Sequence, residues 1–134
     1  MRKLITILIL ISFYQTTSLA GQYSNKFANC LMQKTSERDK IVLVRWAFSA
    51  MAHHSALKEE FNIPKSKFTK HEIAVADYVQ YILGTVCFEE TKNVLKYEGD
   101  EAFMKAFELL GEIAFLSLME ESAVSNALEN YVIH

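Results

Sequence analysis

The sequence predicts an all-α protein, a single compact orthogonal bundle of about five to seven helices with one disulfide bond. One proline and four glycines in 134 residues are too few turn residues for a protein of many strands. Apolar residues recur at the 3.6-residue period of amphipathic helices, and strict alternation of apolar and polar residues never extends beyond a few positions. Both observations favour helices throughout the chain after residue 20.

Residues 1–20 have the order of segments that is typical of a secretory signal peptide. Two basic residues precede an apolar core at 4–14, which is too short to cross a bilayer comfortably, and a polar stretch then ends at Ala20. We therefore expect cleavage after Ala20 and export to the periplasm of a Gram-negative bacterium. Residues 21–134 then form a single helical domain, and nothing in them is apolar for long enough to span a membrane.

The two cysteines, Cys30 and Cys87, both lie in the predicted mature chain. An even pair in an exported protein favours a disulfide bond, because the compartments outside the cytoplasm are oxidising. The alternative is a pair of buried thiols in different parts of the core.

The first two helices are predicted from periodicity and from a capping signal. A helix at 24–34 places Phe27, Cys30 and Leu31 on one face. Ser36 and Asp39 resemble a capping box that starts a second helix, which ends near residue 53. This second helix is apolar around nearly its whole circumference, so we expect it to be buried at the centre of the bundle. Its main apolar seam consists of Ile41, Val44, Phe48 and Met51.

The third helix has the clearest local start signal in the sequence. Thr69 and Glu72 have the spacing of a capping box, and Phe68 and Ile73 have the spacing of the hydrophobic staple that often accompanies one. We therefore expect a helix at 70–86. Its predicted core residues are Ile73, Ala76, Tyr78 or Val79, and Ile82.

The remaining segments are also predicted to be helical. A weak helical turn covers 54–61, and a short helix at 89–97 ends at Gly99, a natural residue just beyond a helix C-terminus. Asp100 is then expected to cap a long helix, and a last helix covers 122–132. The core stripe of the long helix is Phe103, Phe107, Leu110 and Ala114.

Charge is distributed unevenly along the mature chain. Residues 21–70 carry nine basic and four acidic side chains, whereas residues 71–134 carry three basic and twelve acidic ones. The acidic second half could present a face to a basic protein partner, or the two halves could attract each other within the fold. Nucleic acid is not an expected partner, because no basic tract is interleaved with stacking aromatic residues.

Arg45 is unusual because apolar residues surround it in the sequence. The leading interpretation is a buried ion pair with Asp77, Glu108 or Glu112, since a buried guanidinium needs a carboxylate partner. Two alternatives remain open, a guanidinium that lies along the surface with Trp46 over it and an arginine that binds a ligand.

The histidines do not predict a metal site. His53 and His54 are adjacent, so on a helix they point about 100° apart and cannot share one ion. His71-Glu72 begins like the metalloprotease motif H-E-x-x-H, but Val75 stands where the second histidine should be. The alternative for His53 or His54 is contact with the last carbonyls of the second helix. With no nucleophile elbow or phosphate loop either, the sequence predicts no enzyme, metal or cofactor.

The segment 27–54, FANCLMQKTSERDKIVLVRWAFSAMAHH, resembles a group of small exported proteobacterial helical proteins. The shared pattern is a Cys-Leu pair, then a helix start like T-x-x-x-D/E-R, then R/K-W-x-F/Y-x-A/S-M-x-x-H, which makes Arg45, Trp46 and His54 a candidate motif. Cys87 also fits the pattern, which carries no catalytic residues. In architecture alone, the chain is similar to periplasmic immunity proteins that block secreted cell-wall amidases.

We therefore expect a non-catalytic protein-binding factor, of the inhibitor or immunity kind, whose acidic second half contacts an unknown partner. The alternative is a periplasmic carrier of a small ligand or metal, with a pocket between helices.

Overall fold

The computed structural model describes residues 21–133, apart from the side chains of Tyr131 and Ile133; the predicted signal peptide lies outside this range. Within it the chain forms six α-helices and no strand, which confirms the all-α prediction. The helices are α1 (Gln22–Lys34), α2 (Glu37–Met51), α3 (Lys65–Tyr81), α4 (Phe88–Tyr97), α5 (Gly99–Met119) and α6 (Ser122–Glu129). A π-helical turn (Ile82–Val86) joins α3 to α4, and a 3₁₀ turn (Asn130–Ile133) follows α6.

The core lies where α1 packs against α4 and α5, with α3 and the π-helical turn closing it on the other side. The helical period predicted its main residues in α1 and α5 correctly, because Phe27, Leu31 and Leu110 are each at most 1% exposed. Phe103 and Phe107 are half-buried against this core, and Phe27 stacks on Phe103 at 5.3 Å between ring centroids. The other buried apolar residues include Ile82, Cys87, Val94, Ala106 and Ala114.

A disulfide bond joins Cys30 on α1 to Cys87, the residue just before α4. Their Cα atoms are 6.0 Å apart, and Cys87 is fully buried. The π-helical turn brings Cys87 to this position, since the Cys87 N–H donates to the carbonyl of Ile82, five residues earlier, at 2.8 Å. The predicted disulfide is therefore confirmed, and it ties the first helix to the junction of the third and fourth.

Of the two capping boxes predicted to start helices, one is confirmed and the other is wrong. The Ser36 capping box is confirmed, because the Ser36 hydroxyl accepts from the Asp39 N–H and the Asp39 carboxylate accepts from the Ser36 N–H. The Thr69 capping box is wrong, since α3 has already begun at Lys65, directly after Pro64. Proline favours that earlier start because its fixed φ suits the first helical turn.

The predicted staple and the predicted Asp100 cap are also wrong. Ile73 is 56% exposed, and Phe68 packs against the His53 ring instead, with 4.4 Å between ring centroids. Helix α5 begins at Gly99, so Asp100 lies in its first turn. Gly99 does follow α4 with a φ of +83°, a conformation that glycine adopts at no steric cost. Residues 54–61 form hydrogen-bonded turns, with no helix among them.

Helix α2 is not buried at the centre of the bundle. It packs against α3 on one flank and α5 on the other, and its buried residues are Leu43 and Ser49. Three of the four residues of the predicted seam, Ile41, Phe48 and Met51, are about half exposed, whereas Val44 is partly buried against the core. No helix in the described part of the chain is both long and apolar enough to cross a membrane.

Candidate functional site

Arg45 does not form the predicted buried ion pair. Its side chain is exposed, as are those of Asp77, Glu108 and Glu112, and no ion pair joins it to any of them within the described chain. The physical reason is helical geometry, because two residues correspond to a rotation of about 200°. Arg45 therefore lies on the side of α2 opposite the buried Leu43.

The candidate motif of Arg45, Trp46 and His54 is not brought together as a site. All three side chains are exposed, and no hydrogen bond joins one to another among the described residues. His54 Nδ1 accepts from the Ala56 N–H at 3.2 Å and so shapes the turn after α2. His53 has the role that was proposed as the alternative to metal binding, since its Nδ1 donates to the Ser49 carbonyl in the last turn of α2 at 2.9 Å.

A serine–histidine contact joins α2 to α3, a pair that the sequence analysis did not anticipate. The Ser49 hydroxyl donates to the Arg45 carbonyl at 2.7 Å, so its oxygen accepts from His71 Nδ1 at 2.6 Å. Ser49 is only 1% exposed, and its single proton is committed to a main-chain carbonyl. Serine and histidine also form the nucleophile and base of many enzymes, but this serine is buried away from solvent. The pair therefore acts as a hydrogen-bonded bridge between the two helices.

Replacing Ser49 with alanine is expected to lower the free energy of unfolding by about 1–2 kcal/mol, because His71 Nδ1 loses its buried partner. Urea denaturation measures the change. Ser66→Ala, an exposed serine at the start of α3, is the matched control and should shift the midpoint little. Equal destabilisation by the two substitutions would contradict the bridge.

A second polar contact holds α3 to the connection between α1 and α2. The Thr35 hydroxyl donates to the Leu31 carbonyl at 2.6 Å and accepts from the Tyr78 hydroxyl at 2.7 Å. Burial raises the pKa of Tyr78, and nearby Asp39 adds to this, although the bond to Thr35 acts in the opposite direction. The neutral phenol therefore contributes to stability at ordinary pH, and that contribution is lost as the pH rises through the raised pKa.

A groove lies between the start of α1 and the exposed side of α5. We call it the acidic groove; its volume is about 600 Å³. Small residues line much of its floor, where they leave room for a ligand: Gly21, Ala28, Ala102 and Ala106. Its charged residues are four glutamates and one lysine: Glu98, Glu101, Lys105, Glu108 and Glu112.

Four of these charges form one stripe along α5. Positions 101, 105, 108 and 112 fall within about 60° of one another around a helix, so the repeat of the sequence itself places them on one side. Glu101, Glu108 and Glu112 are exposed, and no ion pair neutralises them within the described residues. The two lysine ion pairs that occur there, Lys40–Glu37 and Lys92–Glu89, lie outside the groove. The groove therefore carries an excess of negative charge.

Glu98, at the end of the acidic groove, has a different role from the other three glutamates. Its carboxylate accepts from the Tyr23 N–H at 2.9 Å and from the Ser24 N–H at 2.8 Å, which are unpaired donors at the start of α1. Burial acts to raise the pKa of Glu98, but the hydrogen bonds from Tyr23 and Ser24 together hold it below its ordinary value. Glu98 therefore caps the N-terminus of α1, although it lies far from α1 in the sequence.

No group of three or more histidine, cysteine, aspartate and glutamate side chains converges on a possible metal position among the described residues. No protein-family model, curated protein or solved structure matches the chain. The resemblance of residues 27–54 to small exported helical proteins stays a prediction, and function has to be argued from the geometry and charge of the acidic groove.

Proposed function

We propose that this chain is a non-catalytic exported protein that binds a basic segment of another protein in the acidic groove, in the manner of an inhibitor or immunity factor. The observation that carries the proposal is the set of three exposed carboxylates in the stripe, those of Glu101, Glu108 and Glu112, along a groove of about 600 Å³. Arginine and lysine side chains of a partner are the groups that such carboxylates bind best.

Both the shape and the charge of the groove support this function. A concave surface with an excess of charge of one sign, here four glutamates against Lys105, focuses the electrostatic field and speeds the encounter with an oppositely charged partner. The small side chains of Ala28, Ala102 and Ala106 leave space for the long aliphatic stems of arginine or lysine. Because the carboxylates are exposed, binding should weaken as salt concentration rises.

The proposal is tested by removing the charge of the stripe without changing its shape. The triple variant Glu101→Gln, Glu108→Gln, Glu112→Gln and the wild type are immobilised and exposed to the exported proteins of the source bacterium. We expect the wild type to retain a basic protein and to release it at high salt. The triple variant should not retain this protein. With the purified partner, the dissociation constant should rise roughly tenfold or more.

A matched control has the same change in net charge away from the groove. Glu59→Gln, Glu60→Gln, Glu72→Gln alters three exposed carboxylates, none of which lines the groove. This variant should retain the partner as the wild type does. If both triple variants lose it equally, or neither does, the groove is not the binding surface. A small molecule retained after native purification, detected by mass spectrometry and lost with the stripe, would favour a ligand carrier instead.

A further inference from the structure

The main chain of Gly21 lies directly against the Glu98 carboxylate, at the end of the acidic groove. Gly21 is the N-cap residue of α1, and its carbonyl accepts from the Asn25 N–H at 3.0 Å and from the Ser24 hydroxyl at 2.9 Å. The Glu98 carboxylate accepts from the two N–H groups that follow, those of Tyr23 and Ser24. The first turn of α1 is therefore held from both sides.

The Glu98 carboxylate occupies the space that a side chain at position 21 would need. A Cβ atom placed on Gly21 would overlap the carboxylate group of Glu98. The φ of Gly21 is −60°, which any residue can adopt, so the restriction comes from the neighbour and not from the backbone. Any larger residue would push the Glu98 side chain away and break its bonds to Tyr23 and Ser24.

Gly21 is also the residue that the predicted cleavage makes the first of the mature chain. We propose that Glu98 is the built-in binding site for the free α-ammonium group of Gly21. In the cleavage, water adds across the Ala20–Gly21 peptide bond, so that Ala20 leaves with the carboxylate and Gly21 keeps the protonated amine. A neutral peptide N–H is thereby replaced by a positive charge beside a carboxylate that already caps the same helix.

The surroundings of Gly21 favour this ammonium group. The charged groups that line the groove beside it on α5 are Glu101, Lys105, Glu108 and Glu112, an excess of two negative charges without Glu98. From α4, the Tyr97 ring stacks on Tyr23, and Lys96 lies over Tyr97, 4.9 Å from the ring centroid. A cation at Gly21 is thus attracted by Glu98 and by the excess negative charge of the groove, whereas Lys96, Lys105 and the positive end of the α1 dipole oppose it.

The test uses the mature protein, secreted with its own leader and with its first residue read by mass spectrometry. The α-amino group of Gly21 is titrated by NMR in the wild type, in Glu98→Gln, and in Glu101→Gln as a control for one lost groove charge. We expect the pKa of this amine to lie above its ordinary value in the wild type, to fall back clearly in Glu98→Gln, and to change less in Glu101→Gln. A first residue other than Gly21, or equal effects of the two variants, would overturn the proposal.

A second measurement separates the ammonium group from ordinary helix capping. Because the pKa of the amine is raised, its stabilising effect should be complete below the ordinary amine pKa and lost as the pH rises through the raised value. The denaturation midpoint of the wild type should therefore fall across that range, and the midpoint of Glu98→Gln should fall less. Parallel curves would contradict an ammonium–carboxylate contact.

Gly21→Ala provides a third variant that does not alter charge. It should lower the denaturation midpoint of the wild type, because the new methyl group displaces the Glu98 carboxylate from the ammonium group. In Glu98→Gln it should lower the midpoint much less, because that variant has no ion pair to lose. Equal losses in the two backgrounds would show that Gly21 is needed for another reason. None of these measurements involves a partner, so their failure would leave the proposed function of the groove untouched.

Discussion

Removal of the Cys30–Cys87 bond is expected to lower the free energy of unfolding by about 4 kcal/mol, since the bond closes a loop of 57 residues. In the chain-entropy model, the cross-link restricts the unfolded chain and so raises its free energy relative to the folded state. An effect of this size is a large share of the 5–15 kcal/mol, roughly, by which a domain of ordinary size is stable.

Four samples separate the effect of the cross-link from that of the packing of the sulfur atoms. Urea denaturation is compared for the oxidised wild type, the reduced wild type, and the variant Cys30→Ala, Cys87→Ala under both conditions. The first two should differ by the full effect, whereas the variant should not respond to the reductant. Its remaining difference from the reduced wild type measures the cavity left at the fully buried Cys87. An unchanged midpoint on reduction of the wild type would refute the prediction.

Replacement of Phe27 with alanine should cost about 3–5 kcal/mol, the range for losing a large buried aromatic side chain. Phe27 has no exposed surface, and it stacks on Phe103 where α1 meets α5. The substitution therefore removes apolar contact on both helices and leaves a cavity that neighbouring helices cannot easily fill.

Phe115→Ala is the matched control, because the same side chain on α5 is 58% exposed. It should lower the free energy of unfolding by well under half as much. The two variants are compared by urea denaturation. If their free energies of unfolding depend equally steeply on urea concentration, the midpoints report the change in stability alone. Similar losses for both would mean that the core is not centred on Phe27.

Local signals in the sequence were sufficient where structure depends on near neighbours. The Ser36 capping box, the end of α4 at Gly99 and the buried face of α1 each involve residues within one or two helical turns. The disulfide was predicted from its expected compartment and not from local pattern. Competing local signals were harder, because Pro64 and Thr69 both predict a start for α3 and only the first is used.

The exposed face of α2 could not have been predicted from periodicity. An apolar helix has no polar side to show which direction faces solvent, so the number of helices packed around it decides the matter. Among the elements that the structure describes, α3 and α5 are the helices that flank α2, and Ile41 and Phe48 consequently remain exposed. The burial predicted for Arg45 is wrong for a related reason, since neighbours in sequence are not neighbours on the helix surface.

The acidic groove could be predicted from the sequence only in part. The spacing of Glu101, Glu108 and Glu112 alone places them on one side of α5, but nothing in the sequence shows that α1 forms the opposite wall. Glu98 could not have been identified, because it caps α1 from 75 residues away. Contacts at such a separation depend on how the whole chain folds back.

The disulfide bond shortens that separation during folding. Along the chain, Tyr23 and Glu98 are 75 residues apart. Through the Cys30–Cys87 bond, the path is only seven residues to the first cysteine and eleven from the second. Because the entropy of loop closure varies with the logarithm of loop length, the oxidised chain meets a closure cost lower by about 1 kcal/mol. Once oxidised, this protein should therefore dock its first helix several-fold faster than the reduced chain does, as a short-range event.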